Sequence, residues 1–119
     1  MWGSIAFRKD GNVATFLGEF EHLVLATALR LEHGYGAQLV RELESRAGRE
    51  VHGGALYATL DRLERKGYLT TRMGDPDPQR GGRPKRFVEV TPAGVRALAD
   101  HRAALLRVWE GLEGTLEEA

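Results

Sequence analysis

The stretch Gly54-Ala-Leu-Tyr-Ala-Thr-Leu-Asp-Arg-Leu-Glu-Arg-Lys-Gly-Tyr-Leu69 constrains this chain more than any other. Leu56, Leu60 and Leu63 recur at helical spacing and share one face. Ala58, Asp61, Arg62 and Arg65 fall opposite, with Gly54 and Tyr57 at the N-terminal edge. Gly67 follows the last periodic residue, where a glycine in the left-handed conformation ends a helix cheaply. The outer face of this amphipathic helix carries small residues, a tyrosine and arginines. DNA recognition helices have that composition and so do many ordinary helices, so the flanking chain has to decide.

Formal net charge is zero, but the charge is unevenly placed. Residues 1–52 carry six Lys/Arg against seven Asp/Glu, residues 53–90 eight against five, and residues 91–119 three against five. A basic middle block between acidic ends suits phosphate binding, which needs a local patch rather than a basic total.

Residues 1–14 lack periodicity and read as an arm, either disordered, wrapped on a partner or laid along DNA. A helix is expected from Thr15, with Phe16, Phe20, Leu23, Val24, Thr27 and Leu31 forming a stripe wide enough for a central helix or one that also faces a second chain. A second helix is expected from Tyr35 to Ala47, with Leu39 and Leu43 inward and Gly48 as the stop. A brief link then leads to the opening stretch, which gives a helix-turn-helix order.

Behind it, Tyr68–Met73 and Phe87–Val90 read as two strands. The glycine- and proline-rich segment between them carries Arg80, Arg83, Lys85 and Arg86. A basic hairpin after a recognition-type helix is the wing of a winged helix, its cations within reach of phosphates. Thr91-Pro92 then caps a last helix. Val95, Leu98, Arg102, Leu105, Trp109, Leu112 and Leu116 follow at heptad spacing, and the distal part has no obvious intrachain partner. Dimerisation through this helix is the economical reading, and folding back on the domain is the alternative.

Three motifs resemble the PadR family of bacterial transcriptional regulators. His33-Gly-Tyr-Gly36 is similar to the family's His-Gly-Tyr-Glu. Residues 54–69 are similar to its Gly-Ala-Leu-Tyr-Pro-x-Leu-x-Arg-Leu-Glu-x-x-Gly. Gly82-Arg-Pro-Lys-Arg-Phe87 through Thr91-Pro-Ala-Gly94 is similar to its wing strand and Thr-x-x-Gly helix entry. The resemblance covers about residues 20–100 and implies a mainly α fold with a small β-hairpin. The expected architecture is a winged helix-turn-helix over 15–91 plus a C-terminal dimerisation helix over 92–119. It also implies a homodimeric repressor on a pseudo-palindromic stretch of double-stranded DNA. Gly54, Tyr57, Ala58, Thr59 and Arg62 are expected to meet DNA from the helix, and Arg80, Arg83, Lys85 and Arg86 from the wing. Phe16, Phe20, Leu98, Leu105, Trp109, Leu112 and Leu116 are expected at the dimer contact. Trp109 is also the residue that a small aromatic effector would meet.

The chain departs from the family at His52-Gly53, where Ser-Pro is usual, and at Ala58 in place of proline. The serine would have capped the helix and donated to a phosphate. The backbone N–H groups of Gly53, Gly54 and Ala55 remain available for that contact.

Other chemistry finds little support. Cysteine is absent, and His22, His33, His52 and His101 show no metal-helix spacing. Neither serine sits in a nucleophile motif, and there is no nucleotide-binding glycine loop. No cofactor, metal or catalytic residue is expected. No apolar run approaches a membrane span and the N-terminus has no signal-peptide core, so a cytoplasmic protein is expected. The remaining alternatives are a sensor of aromatic ligands or drugs at the dimer seam, and a winged helix that binds protein.

Overall fold

The computed structural model describes residues 17–75 and 84–119. The arm over 1–14, Phe16, Arg80 and Arg83 lie outside the described residues, and the first helix, expected from Thr15, begins instead at Glu19, because Gly18 is extended and serves as its N-cap.

Among the described residues seven elements follow in order: α1 (Glu19–Leu31), α2 (Gly36–Ala47), α3 (Gly53–Arg65), β1 (Leu69–Met73), β2 (Arg86–Val90), α4 (Pro92–Trp109) and α5 (Glu113–Glu117). α1 is the central post. It touches α2, α3, α4 and β2, which accounts for its wide apolar stripe. Val24, Leu25 and Ala28 of α1 pack with Leu39 and Leu43 of α2, Leu56, Leu60 and Leu63 of α3, and Leu69, Val88 and Leu98. Each fully buried leucine contributes about 1.5–3 kcal/mol relative to exposure, so this one cluster holds the helices together.

Local chemistry fixes the element ends. The Gly18 N–H donates to the Glu21 carboxylate at 2.9 Å, which satisfies a donor beside the first turn of α1. α2 stops at Gly48, where φ is +70° and the N–H donates to the Glu44 carbonyl. α3 closes in a Schellman motif. The Gly67 N–H donates to the Glu64 carbonyl at 2.9 Å, and the Tyr68 N–H to the Leu63 carbonyl at 3.0 Å. α1 ends differently, on Glu32 at φ 60° and ψ −71°, with the His33 N–H donating to the Leu31 carbonyl at 2.7 Å. That is a strained three-residue γ-turn.

β1 and β2 pair antiparallel, Leu69 with Val90 and Met73 with Arg86 at the two ends of the register. The α1–α2 connection joins this hairpin. The Val88 N–H donates to the Gly34 carbonyl at 2.8 Å, and Tyr35 forms an isolated bridge with Phe87. Thr91 then fastens α4. Its hydroxyl accepts from the Gly94 N–H at 3.1 Å and donates to the Gly67 carbonyl at 2.7 Å. Gly94 lets α4 approach, because a Cβ there would lie 2.7 Å from Val90 Cγ1 and collide with the Tyr68 carbonyl.

The last helix corrects one expectation. Heptad spacing continues through Leu116, but the helix does not. α4 ends at Trp109, Gly111 turns the chain at φ +86°, and α5 follows as a separate short helix. Leu98, expected at the dimer contact, is buried against the domain, since the first turns of α4 pack on α1 and β2. Phe20 also packs against the core and is half-buried. Leu105, Leu106, Val108, Trp109, Leu112 and Leu116 remain exposed, Val108 at 72%. No helix among the described residues is long and apolar enough to cross a membrane.

Candidate nucleic-acid interface

α3 buries Leu56, Thr59, Leu60 and Leu63 and exposes Gly53, Gly54, Ala55, Tyr57, Ala58, Asp61, Arg62 and Arg65. Its first turn is open. His52 supplies no side-chain cap, and Cβ atoms built on Gly53 or Gly54 would meet nothing within 4 Å. The first N–H groups of a helix have no partner of their own, and an anion can take them.

Thr59 is a correction. Expected on the outer face, it is 1% exposed, because it lies three residues from Leu56 and four from Leu63 on the buried stripe. Its hydroxyl accepts a hydrogen bond from Arg62 Nη2 at 3.0 Å.

Tyr57 is exposed, but its ring leans back over the start of α2. A Cβ at Gly36 would lie 2.7 Å from Tyr57 Cζ. Gly36 stands where the motif of the resemblance has glutamate, so at this position the bare backbone makes room for the ring.

Arg62, Lys66 and Arg86, around α3, are held by protein groups. Glu21 of α1 is 7% exposed and receives Lys66 Nζ at 3.0 and 2.8 Å on its two oxygens, with Arg62 Nε at 3.6 Å from Oε2. Burial alone would push the Glu21 pKa up. The Lys66 hydrogen bond, the Gly18 N–H and the charges of Lys66 and Arg62 overcome that and hold it below its ordinary value.

Arg86 is a second correction. Expected to reach phosphate from the wing, it instead bridges β2 to α3. Its Nη2 lies 2.9 Å from Asp61 Oδ1 and 3.3 Å from Glu64 Oε1. The physical reason is local, since two carboxylates one helical turn apart on α3 face the strand and attract the nearest guanidinium. Thr71 donates to the other oxygen of Glu64 at 3.0 Å. Lys85 Nζ sits 4.3 Å from the centre of the Tyr35 ring, and Arg72 stacks 4.9 Å from that of Phe87. Lys85 therefore stands at the base of the wing on an aromatic support.

Among the described residues no group of three or more His, Asp or Glu is placed to hold a metal ion. His22 and His101 meet between α1 and α4 with ring centroids 4.6 Å apart. Burial, and then the neighbouring His101, lowers the His22 pKa.

An exposed second helix of a helix-turn-helix, with a charged two-stranded wing tied to it, is the arrangement of a winged-helix fold. The family model for PadR-like transcriptional regulators matches residues 24–100. The chain belongs to the PadR-like family of transcriptional regulators. A Mycobacterium tuberculosis protein, the transcriptional regulator Rv3488, is 45% identical over 71 residues, which is 60% of this chain. The match spans 62% of that relative's length. Among solved structures, a PadR family regulator from Eggerthella lenta superposes with a TM-score of 0.66 at 26% identity, covering 84% of this chain and 83% of that one. A PadR-like transcription factor from Bacteroides fragilis shares the fold, with a TM-score of 0.63 at 22% identity over 83% of this chain and 87% of that one.

This PadR-like chain shares its family with transcriptional regulators. Its structure brings Gly54, Tyr57, Ala58 and Arg62 to one open face, with Lys85 on the neighbouring wing. It places Thr59 and Arg86 behind that face. Glu21, Lys66, Asp61 and Glu64 order the cations and were not singled out from the sequence. Asp61 carried a signal, as an acid on the outer face of a basic helix. Glu21 carried none, because it pairs with Lys66 across 45 positions of chain.

Proposed function

We propose that the protein is a homodimeric DNA-binding repressor that recognises a pseudo-palindromic operator. The observation that carries this reading is the open N-terminal half of α3, flanked by a wing on which Arg72 and Lys85 rest against aromatic rings. α3 enters the major groove, and its first-turn N–H groups take a phosphate. Tyr57, Ala58 and Arg62 lie against base edges, and Gly54 allows close approach. Lys85, with Arg80 and Arg83 of the same wing, meets the backbone. Two copies place their α3 helices in half-sites about one helical turn, ~10 base pairs, apart.

The exposed apolar row Leu105, Leu106, Val108 and Trp109, continued by Leu112 and Leu116, supports the second copy. A surface helix that ends in contiguous large apolar side chains buries them in an assembly. A regulator of this kind works beside the chromosome, which places it in the cytoplasm.

Selection of bound duplexes from random DNA tests the proposal. A consensus of two inverted half-sites is expected. Enrichment of no sequence, or of a single asymmetric site, overturns it.

A further inference from the structure

The side chain of Arg62 is half-exposed on the outer face of α3, yet two protein groups hold it. Its Nε faces Glu21 Oε2 at 3.6 Å, and its Nη2 donates to Thr59 Oγ1 at 3.0 Å. Both holders are buried, Glu21 at 7% and Thr59 at 1% exposure. They come from two elements, α1 and α3 itself, and meet the guanidinium from the protein side. Glu21 is in turn fixed by Lys66 at 2.8 and 3.0 Å and by the Gly18 N–H at 2.9 Å.

A guanidinium has five N–H donors in a planar fork. One donates here, on Nη2, while Nε faces the Glu21 carboxylate as an ion pair. Among the described residues no protein hydrogen bond takes the N–H groups of Nη1, and the side chain is 46% exposed. Paired donors on an edge of the fork match the O6 and N7 acceptors of guanine, a match that lysine cannot make. A free arginine on a surface helix samples many rotamers and gives up that freedom on binding. One already held by a carboxylate and a hydroxyl gives up far less.

We infer that Glu21 and Thr59 are positioning residues that preset Arg62 to read a guanine in the operator. The inference rests on the proposed use of α3 as the recognition helix. Neither residue touches DNA. Thr59 acts by receiving Nη2 and Glu21 by facing Nε, so that the free edge of the fork is presented to the groove at a set angle.

The test uses the full chain and the duplex that it selects from a random library, together with every single-base-pair variant of that duplex. Discrimination is the ratio of Kd values between variant and parent. Arg62→Ala is expected to lose discrimination at one G·C pair in each half-site. Thr59→Val and Glu21→Gln are expected to reduce it at that same pair by about threefold to tenfold, the cost of re-ordering one long side chain. At every other pair, and in salt dependence, both should match the parent protein. Thr59→Ser keeps the hydroxyl and should retain discrimination. In an Arg62→Ala background neither Thr59→Val nor Glu21→Gln should lower it further.

Discrimination unchanged in both Thr59→Val and Glu21→Gln, while Arg62→Ala loses it, overturns the positioning role and leaves the recognition helix standing. So does a loss spread evenly over all base pairs, which is what mere loosening of the fold would give. If Arg62→Ala loses discrimination at no pair, Arg62 is not a reader, and both this inference and its place in the interface fall.

Discussion

The Tyr57 ring occupies the space that a side chain on Gly36 would need, with its Cζ 2.7 Å from the site of that missing Cβ. Gly36 opens α2 and Tyr57 stands on α3, so the two helices of the motif share one volume. Adding a methyl group there forces the ring outward. Because the ring is at the exposed end of its packing, Gly36→Ala is expected to change stability by no more than about 1 kcal/mol, the small helix-propensity gain offsetting the push. DNA affinity should fall nonetheless, by as much as in Tyr57→Ala. In a Tyr57→Ala background Gly36→Ala should have no further effect on binding, which a double-mutant cycle measures. Independent, additive losses would mean that the ring position does not matter.

Arg86 neutralises Asp61 and Glu64 rather than reaching outward. Arg86→Ala is therefore expected to weaken DNA binding roughly tenfold by leaving two carboxylates uncompensated beside the phosphates. Asp61→Asn in the same chain should recover much of that loss. A direct phosphate contact predicts no recovery, and titrations of the single and double variants distinguish the two.

Stability should fall with acidification in two stages. The folded-state pKa of His22 is lowered from 6.5, so the unfolded chain takes up the proton first, and stability declines as the pH drops below 6.5 toward the folded value. The Glu21 pKa is lowered from 4.5, so its contribution is complete above 4.5 and is lost as the pH falls through the lower folded value. Urea midpoints measured across pH should show both stages. Glu21→Gln should remove the lower stage and cost about 1–3 kcal/mol near neutrality, as expected for losing hydrogen bonds to a charged group. His22→Gln should remove the upper stage. A midpoint flat from pH 7 to 5 would contradict the His22 assignment.

Val108 is the most exposed of the large apolar residues on α4. Val108→Glu introduces a charge where a second copy is proposed to pack, and leaves the monomer core untouched. Sedimentation should show the parent chain as a dimer at micromolar concentration and the variant as a monomer with an unchanged thermal midpoint. A parent chain that sediments as a monomer removes the role given to this helix.

Most of the architecture was legible in the sequence, because it rests on local rules. Leucines at helical spacing marked α2 and α3, the left-handed glycines 48 and 67 marked their ends, and Thr91-Pro92 marked the start of α4. The exceptions lie where local rules conflict with a resemblance or carry no information. Periodicity places Thr59 with Leu56, Leu60 and Leu63 on the inner stripe, and the family resemblance moved it outward. Heptad counting ran through Gly111 because side-chain spacing carries no record of backbone conformation. Arg86 was counted as a free wing cation because the acids that capture it lie 22 and 25 positions away. Pairings of that kind become visible only when the chain is folded.

The hairpin is not a loose appendage. Val88 is bonded to Gly34 and Tyr35 is bridged to Phe87, while Arg86 and Thr71 reach Glu64 on α3. The two strands and the helix beside them are thus joined like the jaws of a caliper. On the proposed DNA-binding reading, these ties put more of the accommodation on the duplex. Base pairs that no side chain touches then contribute through the width and bendability they give the groove, and steps that deform easily between the contacted positions should be favoured over stiff ones.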